Sequence, residues 1–266
     1  MSAPAGATVK ATLIRGDCTE VLPGIRAASI DMVLADPPYG ITARNSWDVP
    51  IDREALWPPL LGACKDDAAI VLFSSGRLTA SLMTQSPKGL WRYNLVWHKT
   101  EPTGFLNANR MPLRAHEDIC VFYRRAPYYH PQKTEGHVRK VSSAASKRKC
   151  VRSADYGDFA ATSYDSTQRY PTSVLTYPGD KQKAWGGLHP TQKPQALCEF
   201  LVRSYCPPGG TVLDFCMGSG TTGAACALAG REFVGVESDA GYFEVAAERL
   251  RRMGADVRCE RRERRW

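Results

Sequence analysis

One stretch governs how this 266-residue chain folds: Thr211-Val212-Leu213-Asp214-Phe215-Cys216-Met217-Gly218-Ser219-Gly220-Thr221-Thr222. It runs from a short apolar strand through a glycine-containing turn into an alanine-rich helix. The two glycines let a ligand approach the backbone closely, and the start of the helix offers unpaired amides and the positive end of a dipole. The next predicted strand ends in Glu237, at the spacing from which an acid reaches ribose hydroxyls. The pattern therefore predicts a pocket for a nucleoside cofactor.

The glycine turn also narrows the kind of cofactor. It reads G-S-G-T-T and lacks the third glycine of the dinucleotide pattern G-x-G-x-x-G, which argues against a nicotinamide-dependent oxidoreductase. A carboxylate at Glu237 without a nearby phosphate-clamping lysine favours a cofactor with a ribose and no pyrophosphate, such as S-adenosylmethionine. The alternative at this point is a glycine turn that serves only the packing of a strand against a helix.

Outward from this stretch, short apolar runs alternate with helix-like stretches over most of the chain. This alternation predicts an α/β fold, a mainly parallel sheet covered by helices, in a single domain spanning 1–266. The predicted helices are 54–64, 78–84, 195–205, 221–229 and 241–253. The predicted strands number seven: 11–14, 32–35, 69–73, 94–97, 119–123, 211–215 and 233–236.

The alternation breaks over residues 125–187, which predicts an inserted functional region. Most of the positive charge lies near it, since residues 124–153 hold nine basic residues against the single acid Glu135 and account for the net charge of +8. Such clustering favours binding of a polyanion such as double-stranded DNA, although many charge runs are only solvated surface. The basic residues are Arg124, Arg125, Lys133, Arg139, Lys140, Lys147, Arg148, Lys149 and Arg152. A second arginine-rich run, 249–266, is interpreted mainly as solvated surface.

The cysteines and the apolar runs indicate a cytoplasmic location for the protein. Nine cysteines form no C-x-x-C pair, which fits a reducing cytoplasm and thiols that act as small core residues. No run of 18 apolar residues occurs, and residues 1–8 lack the apolar stretch of a signal peptide, so we expect neither a secretory leader nor a membrane segment. The expected site needs no metal.

A stiff corner, Asp36-Pro37-Pro38-Tyr39-Gly40, follows the apolar run 32–35. The two prolines lack amide donors and fix φ, so they present the side chains around them rigidly. Asp36 can accept a hydrogen bond from an exocyclic amino group, a prolyl carbonyl can accept the second hydrogen, and Tyr39 can stack on a flat base. The alternative is an ordinary turn at the end of a strand.

A third element, Leu188-His189-Pro190-Thr191-Gln192-Lys193-Pro194, precedes a predicted helix. Proline suits the first helical turn, and Thr191 or Lys193 could hold a carboxylate at the helix entrance. Alone, this element predicts no more than a helix cap.

Together, D-P-P-Y-G, H-P-T-Q-K-P and D-F-C-M-G-S-G-T-T, in that order, resemble the amino-group DNA methyltransferases, which modify adenine N6 or cytosine N4. The order resembles the β-class of that family, and the resemblance covers roughly 9–124 and 172–250. It implies a doubly wound, mostly parallel, seven-stranded sheet that is circularly permuted, with a variable target-recognition region at the basic insert. One departure is Cys216, where relatives commonly carry phenylalanine.

The resemblance also implies roles for individual residues. Asp36 and the main-chain carbonyl of Pro37 would accept the target amine, and Tyr39 would stack on the extruded base; with Pro38 these form the catalytic set. Glu237 would bind the ribose, Asp17 and Cys18 would lie near the adenine, and His189, Thr191 and Lys193 would lie near the carboxylate. The remaining cofactor residues would be Asp214, Phe215, Gly218, Ser219, Gly220, Thr221 and Thr222.

The expected activity is site-specific methylation of adenine N6, since aspartate at the first motif position is commoner among the adenine enzymes. Cytosine N4 methylation is the alternative, and a basic binding module with an inactive nucleotide fold is a third interpretation. Arg114, His116 and Glu117 either position the substrate or form an ion pair at a strand entrance. We expect a homodimer by analogy with the fold, whereas the recognition sequence and any restriction endonuclease partner cannot be inferred.

Overall fold

Nine strands form one sheet in the computed structural model of the chain, which describes residues 8–40, 50–143, 163–179 and 192–261. Two further strands, β6 and β7, pair separately. Numbered along the chain, the strands are β1 (Lys10–Arg15), β2 (Ile30–Ala35), β3 (Cys64–Ser74), β4 (Trp91–Thr103), β5 (Arg114–Phe122), β6 (Lys140–Ser142), β7 (Tyr164–Ser166), β8 (Val174–Tyr177), β9 (Thr211–Asp214), β10 (Glu232–Glu237) and β11 (Asp256–Arg261).

The order across the sheet is β11-β1-β10-β9-β2-β3-β5-β4-β8, and only β5 runs against the others. All seven predicted strands are present. The predicted number of seven strands is corrected to nine, because β8 and β11 add one strand at each edge of the sheet. Sequence patterns missed them because edge strands bury few apolar side chains: Leu175 is the only buried residue of β8, and β11 has none.

Six α-helices cover the sheet in the described residues, three on each face. On one face lie α1 (Cys18–Val21), α2 (Arg53–Ala63) and α3 (Arg77–Gln85); on the other lie α4 (Gln195–Tyr205), α5 (Thr221–Ala229) and α6 (Ala240–Arg252). Alternate residues of the central strands point to the two faces: Met32 and Leu34 pack towards α4–α6, while Val33 and Ala35 pack towards α1–α3. None of these helices has the length and apolar content needed to span a membrane.

The order of the strands brings together the corner at residues 36–40 and the glycine turn at residues 216–220, which are far apart in the chain. β9 lies directly beside β2 and parallel to it, with Val212 opposite Met32 and Leu213 opposite Val33. Neighbouring parallel strands end at the same edge of a sheet, and ligands of α/β folds bind outside that edge. The corner after β2 and the glycine turn after β9 therefore lie side by side.

A long hairpin formed by β4 and β5 extends this edge. Trp97 lies opposite Glu117, and the register ends at the pair Thr103 and Arg114. The connecting segment holds a short 3₁₀ helix, Phe105–Asn107. The strand predicted at 94–97 is thus much longer than its apolar centre indicates.

Residues Pro131–Thr172 form a second compact unit, apart from the main unit of Met1–His130 and Ser173–Trp266. Within it β6 pairs antiparallel with β7, and Arg139 binds both carboxylate oxygens of Asp165 at 2.7 and 2.6 Å. A further bridge joins Thr134 to Arg169. The unit lies inside the predicted insert 125–187.

Candidate active site

A cavity of about 780 Å³ lies at the carboxyl edge of β2, β9 and β10. That volume is typical of sites for small molecules and cofactors, which span roughly 300–1,000 Å³. The cavity brings together eleven residues predicted from the sequence: Asp36, Pro37, Pro38, Tyr39, Lys193, Asp214, Gly218, Ser219, Thr221, Thr222 and Glu237.

Four predicted cofactor residues are not among those that line the cavity. The Asp17 carboxylate accepts a hydrogen bond from the Thr19 amide at 2.8 Å and caps α1, and Cys18 packs beside the core. Phe215 is fully buried on the side of α1–α3, while the adjacent Cys216 lines the cavity. Gly220 begins α5. His189 and Thr191 lie outside the described residues.

A chain of alternating charges crosses the cavity wall. The ammonium group of Lys193 lies 2.6 Å from Asp36 Oδ2 and 3.2 Å from Glu117 Oε2, and Lys99 lies 2.6 Å from Glu117 Oε1. The Tyr39 hydroxyl donates to Glu117 Oε2 at 3.1 Å. Lys193 is only 7% exposed, so these charges compensate one another away from bulk water.

Burial and neighbouring charges pull the pKa values of this cluster in opposite directions. Burial raises the pKa of Asp36 and Glu117 adds to the rise, whereas Lys193 opposes it. Burial alone would lower the pKa of Lys193, but Asp36 and Glu117 together raise it above its usual value. Burial would raise the pKa of Glu117, but Lys193 and Lys99 bring it below its usual value. Lys193 and Glu117 are therefore charged at neutral pH.

The second oxygen of Asp36 has a different environment from the first. Oδ2 binds Lys193, whereas Oδ1 is buried and makes no hydrogen bond within the described residues, although the nearby Tyr39 hydroxyl helps to lower the pKa of the carboxyl group. A buried carboxylate oxygen without a partner costs about 1–3 kcal/mol or more, so it marks a position where a donor is expected. An N–H group of a ligand in the cavity would satisfy it.

The glycine turn forms the opposite wall of the cavity. Gly218 has a φ of +51°, and a Cβ added there would meet no atom of the described residues within 4 Å. Its amide donates to Glu237 Oε2 at 2.9 Å. Arg249, which is buried although it begins the arginine-rich run, donates to the Ser219 carbonyl at 3.3 Å and to Thr221 Oγ1 at 3.1 Å. Glu237 and Arg249 therefore fix the turn by hydrogen bonds, and Gly218 leaves space on the side of the cavity.

Two acids lie beneath the turn. The Glu237 carboxylate also accepts from the Asp239 amide at 2.8 Å, and burial raises its pKa. Asp214 is buried and accepts from the Cys216 amide at 3.1 Å. Burial raises the pKa of Asp214 to about 7, against the hydrogen bonds from Thr222 and Cys216. This site therefore holds a carboxyl group that titrates near neutral pH.

The hairpin also supplies cavity residues that the sequence did not predict, since Trp97, Lys99 and Thr103 from β4 line the cavity. Arg114, His116 and Glu117 were considered either as substrate-positioning residues or as an ion pair. All three line the cavity, and Glu117 pairs with Lys99 and Lys193. Period-two spacing from Trp97 would have placed Lys99 on the same face, had the strand been predicted at its full length.

The predicted DNA-binding residues fall into three groups. Arg124 and Arg125 follow β5 at the opposite edge of the sheet from the cavity, where Arg124 donates to the main-chain oxygen of Cys64 at 2.8 Å. In the second unit Lys133 lies over the ring of Tyr170, Arg139 pairs with Asp165, and Lys140 is exposed. Lys147, Arg148, Lys149 and Arg152 lie outside the described residues.

A sequence profile of the DNA methylase family matches residues 30–248. The DNA adenine methyltransferase YhdJ of Escherichia coli strain K12 is 26% identical over 253 residues, which cover 90% of this chain and 82% of that protein. The PvuII DNA methyltransferase, described as cytosine-N4-specific, has a similar structure, with a TM-score of 0.65 at 16% identity over 97% of this chain and 98% of that one. The M1.HpyAVI–SAM complex is similar with a TM-score of 0.57 and 22% sequence identity, over 90% of this chain and 99% of that one. Both solved structures share the fold of this chain.

Proposed function

The chain belongs to the DNA methylase family, and from this premise we propose that it is a site-specific DNA adenine N6 methyltransferase. Its methyl donor is S-adenosylmethionine, and its substrate is double-stranded DNA. The observation that carries the proposal is the buried, unpartnered Oδ1 of Asp36 in the same cavity as Gly218. The wall at Asp36 can bind an amino group and the wall at Gly218 can bind a nucleoside that donates the methyl group, so both reactants would bind in the same cavity.

The glycine wall fits S-adenosylmethionine. Gly218 leaves open space where a side chain would begin, and Glu237 lies beside it with carboxylate oxygens suited to ribose hydroxyls. When bound, S-adenosylmethionine supplies a strongly electrophilic methyl group on a sulfonium. The proposed cofactor residues are Asp17, Cys18, His189, Thr191, Lys193, Asp214, Phe215, Gly218, Ser219, Gly220, Thr221, Thr222 and Glu237.

The corner after β2 prepares the target amine. The exocyclic nitrogen is a poor nucleophile because its lone pair is delocalised into the ring. Asp36 Oδ1 and the main-chain oxygen of Pro37 accept hydrogen bonds from its two N–H groups. These hydrogen bonds turn the lone pair towards the methyl carbon, while Tyr39 stacks on the base. As the N–C bond forms and the methyl–sulfur bond breaks, positive charge would pass to the nitrogen, so its hydrogen bond to Asp36 would strengthen in the transition state and lower the barrier. The thioether product would then leave, and the nitrogen would lose one N–H proton to water.

A base stacked in a duplex cannot reach this cavity, so the target is flipped out of the helix. Lysine and arginine contacts to phosphates supply affinity that does not depend on sequence. We assign these contacts first to Lys133, Arg139 and Lys140 of the second unit. The target-amine motif precedes the cofactor motif in the chain, which supports a circularly permuted order of the family's elements.

Cytosine N4 is the alternative target, because its exocyclic amine offers the same two N–H groups to Asp36 and Pro37. The structural likeness to the cytosine-N4-specific PvuII enzyme keeps this alternative open. The nucleoside that receives the methyl group distinguishes the two.

The experiment measures transfer of labelled methyl groups from S-adenosylmethionine to genomic DNA, followed by identification of the modified nucleoside and sequencing of its context. We expect N6-methyladenine at one recognition sequence. Asp36→Asn should lower kcat by at least about a hundredfold while DNA and cofactor binding persist. N4-methylcytosine would replace the adenine assignment, and full activity of Asp36→Asn would overturn the mechanism.

A further inference from the structure

The tip of the β4–β5 hairpin, residues 104–113, exposes large apolar side chains beside the cavity. Phe105 is 80% exposed and Leu106 is 102% exposed, the highest value among the large apolar residues described. Met111, in the same tip, is 52% exposed. A cluster of this kind on a surface marks an interaction site, because single exposed apolar residues are common but adjacent ones are not.

The tip is an ordered turn and not a loose connection. The amide of Asn107 donates to the Gly104 carbonyl at 2.9 Å, and the amides of Arg110 and Met111 donate to the Asn107 carbonyl at 2.8 and 3.0 Å. The backbone therefore satisfies its own hydrogen bonds and presents Phe105 and Leu106 outward. The two strands fix the tip to the central sheet.

The tip adjoins the cavity in the chain. Thr103 and Arg114, the last paired residues of the hairpin, both line the cavity. Phe105 is two residues beyond Thr103, a distance of at most about 7 Å along an extended chain. A base that enters the cavity past Thr103 and Arg114 would leave its stack next to this tip.

The charges of the tip favour a polyanion as the partner. Within residues 104–113 Arg110 is the only charged residue, and Arg114 follows at the start of β5. A second copy of the chain is a poorer partner, because in a twofold interface the same patch meets itself and its arginines would face one another. Duplex DNA offers both phosphates for the arginines and stacked bases for the apolar side chains.

We propose that this tip is a wedge that inserts Phe105 and Leu106 into the duplex at the target base pair and fills the space vacated by the flipped base. The inference rests on the proposed function, since it names the residues that make flipping favourable. Apolar side chains inserted between base steps unstack DNA in this way, and an aromatic ring replaces part of the lost stacking. Phe105 and Leu106 are positioning residues, because they contact DNA but not the reacting atoms.

The test uses the double variant Phe105→Ser, Leu106→Ser and two duplexes. Both carry the recognition sequence found by sequencing, and the second has an abasic site opposite the target, so that the target is no longer paired and flips at a lower cost. We expect kcat/KM on the intact duplex to fall roughly tenfold to a hundredfold, as loss of stacking contacts predicts. On the second duplex the double variant should lose much less of the wild-type rate.

Leu228→Ser is the matched control, because Leu228 is 45% exposed at the end of α5 that points away from the cavity edge. It should leave both rates unchanged. Equal losses on both duplexes, or no loss on either, would overturn the wedge. A change of oligomeric state in sedimentation, with the ratio of the two rates unchanged, would assign the tip to a second copy of the chain. A wild type that methylates no DNA would instead refute the proposed function.

Discussion

The two oxygens of Asp36 lie in different surroundings, and this difference explains how a single carboxylate can be both fixed and available. Oδ2 is held by Lys193 at 2.6 Å, while Oδ1 accepts no hydrogen bond from the part of the chain that the structure describes. A side chain fixed at one oxygen loses little freedom when the other accepts a ligand, so the hydrogen bond to the amine forms at low entropic cost.

Lys193 and Glu117 should shift the pH dependence of methyl transfer in opposite directions. In the proposed mechanism the rate requires ionised Asp36, so it should fall as pH drops through the pKa of that group. Lys193 lowers this pKa and Glu117 raises it. Lys193→Met should therefore move the acidic limb of the rate profile to higher pH, and Glu117→Gln should move it to lower pH.

Single-turnover rates measured across pH check this prediction, with thermal unfolding of each variant as the control for folding. Shifts in the same direction, or an unchanged acidic limb in both variants, would contradict it.

Residues within one contiguous motif were predictable, whereas partners from distant strands were not. Asp36, Tyr39 and Gly218 stand in patterns whose chemistry can be read directly from neighbouring residue types. The contact of Lys193 with Asp36 joins residues 157 positions apart and depends on the order of the strands. Its predicted place beside the cofactor carboxylate stays a prediction.

At the scale of elements, the turn between β9 and α5 uses its two glycines for different purposes. Gly218 faces the open cavity, whereas a Cβ on Gly220 would lie 3.0 Å from the Ala246 Cβ and 3.2 Å from its Cα. Gly220 thus permits close packing of α5 against α6, and Gly218 leaves room for a ligand.

Alanine at the two positions should separate ligand binding from stability. Gly220→Ala, with φ at +78° and a close contact, should lower the free energy of unfolding by roughly 2–4 kcal/mol. Gly218→Ala meets no neighbouring atom, so it should cost only about 1–2 kcal/mol for its φ of +51° but weaken S-adenosylmethionine binding strongly.

Chemical denaturation and titration calorimetry measure the two effects. Comparable stabilities for the two variants, or unchanged cofactor affinity in Gly218→Ala, would contradict the separate roles.

The elements with strong apolar periodicity were predicted close to their observed bounds, and the weakly patterned ones were not. Helix 195–205 matches α4 because its buried face repeats every three to four residues. β4 was predicted only at its apolar centre, since its outer part, up to Thr103, is polar and lines the cavity. The polar residues that line the cavity thus interrupted the apolar pattern by which β4 could be predicted.

At the scale of the whole molecule, the charge is concentrated where DNA contact is proposed. Lys133→Ala with Lys140→Ala should weaken binding to all sequences alike and reduce the slope of log affinity against log salt by about two, nearly one per phosphate contact. Lys10→Ala, at the edge of the sheet opposite the cavity, is the matched control and should leave the slope unchanged.

Fluorescence anisotropy of labelled duplexes at several salt concentrations measures these slopes. A slope equal to that of the wild type would remove these two lysines from the DNA interface.

The position of β1 has a consequence for synthesis on the ribosome. Its two neighbours in the sheet, β10 and β11, are translated only after residue 231, so the strand emerges more than 200 residues before either partner exists. A nascent chain therefore cannot complete this side of the sheet until late in elongation. We expect its amino-terminal portion to remain bound to chaperones until β10 and β11 leave the exit tunnel.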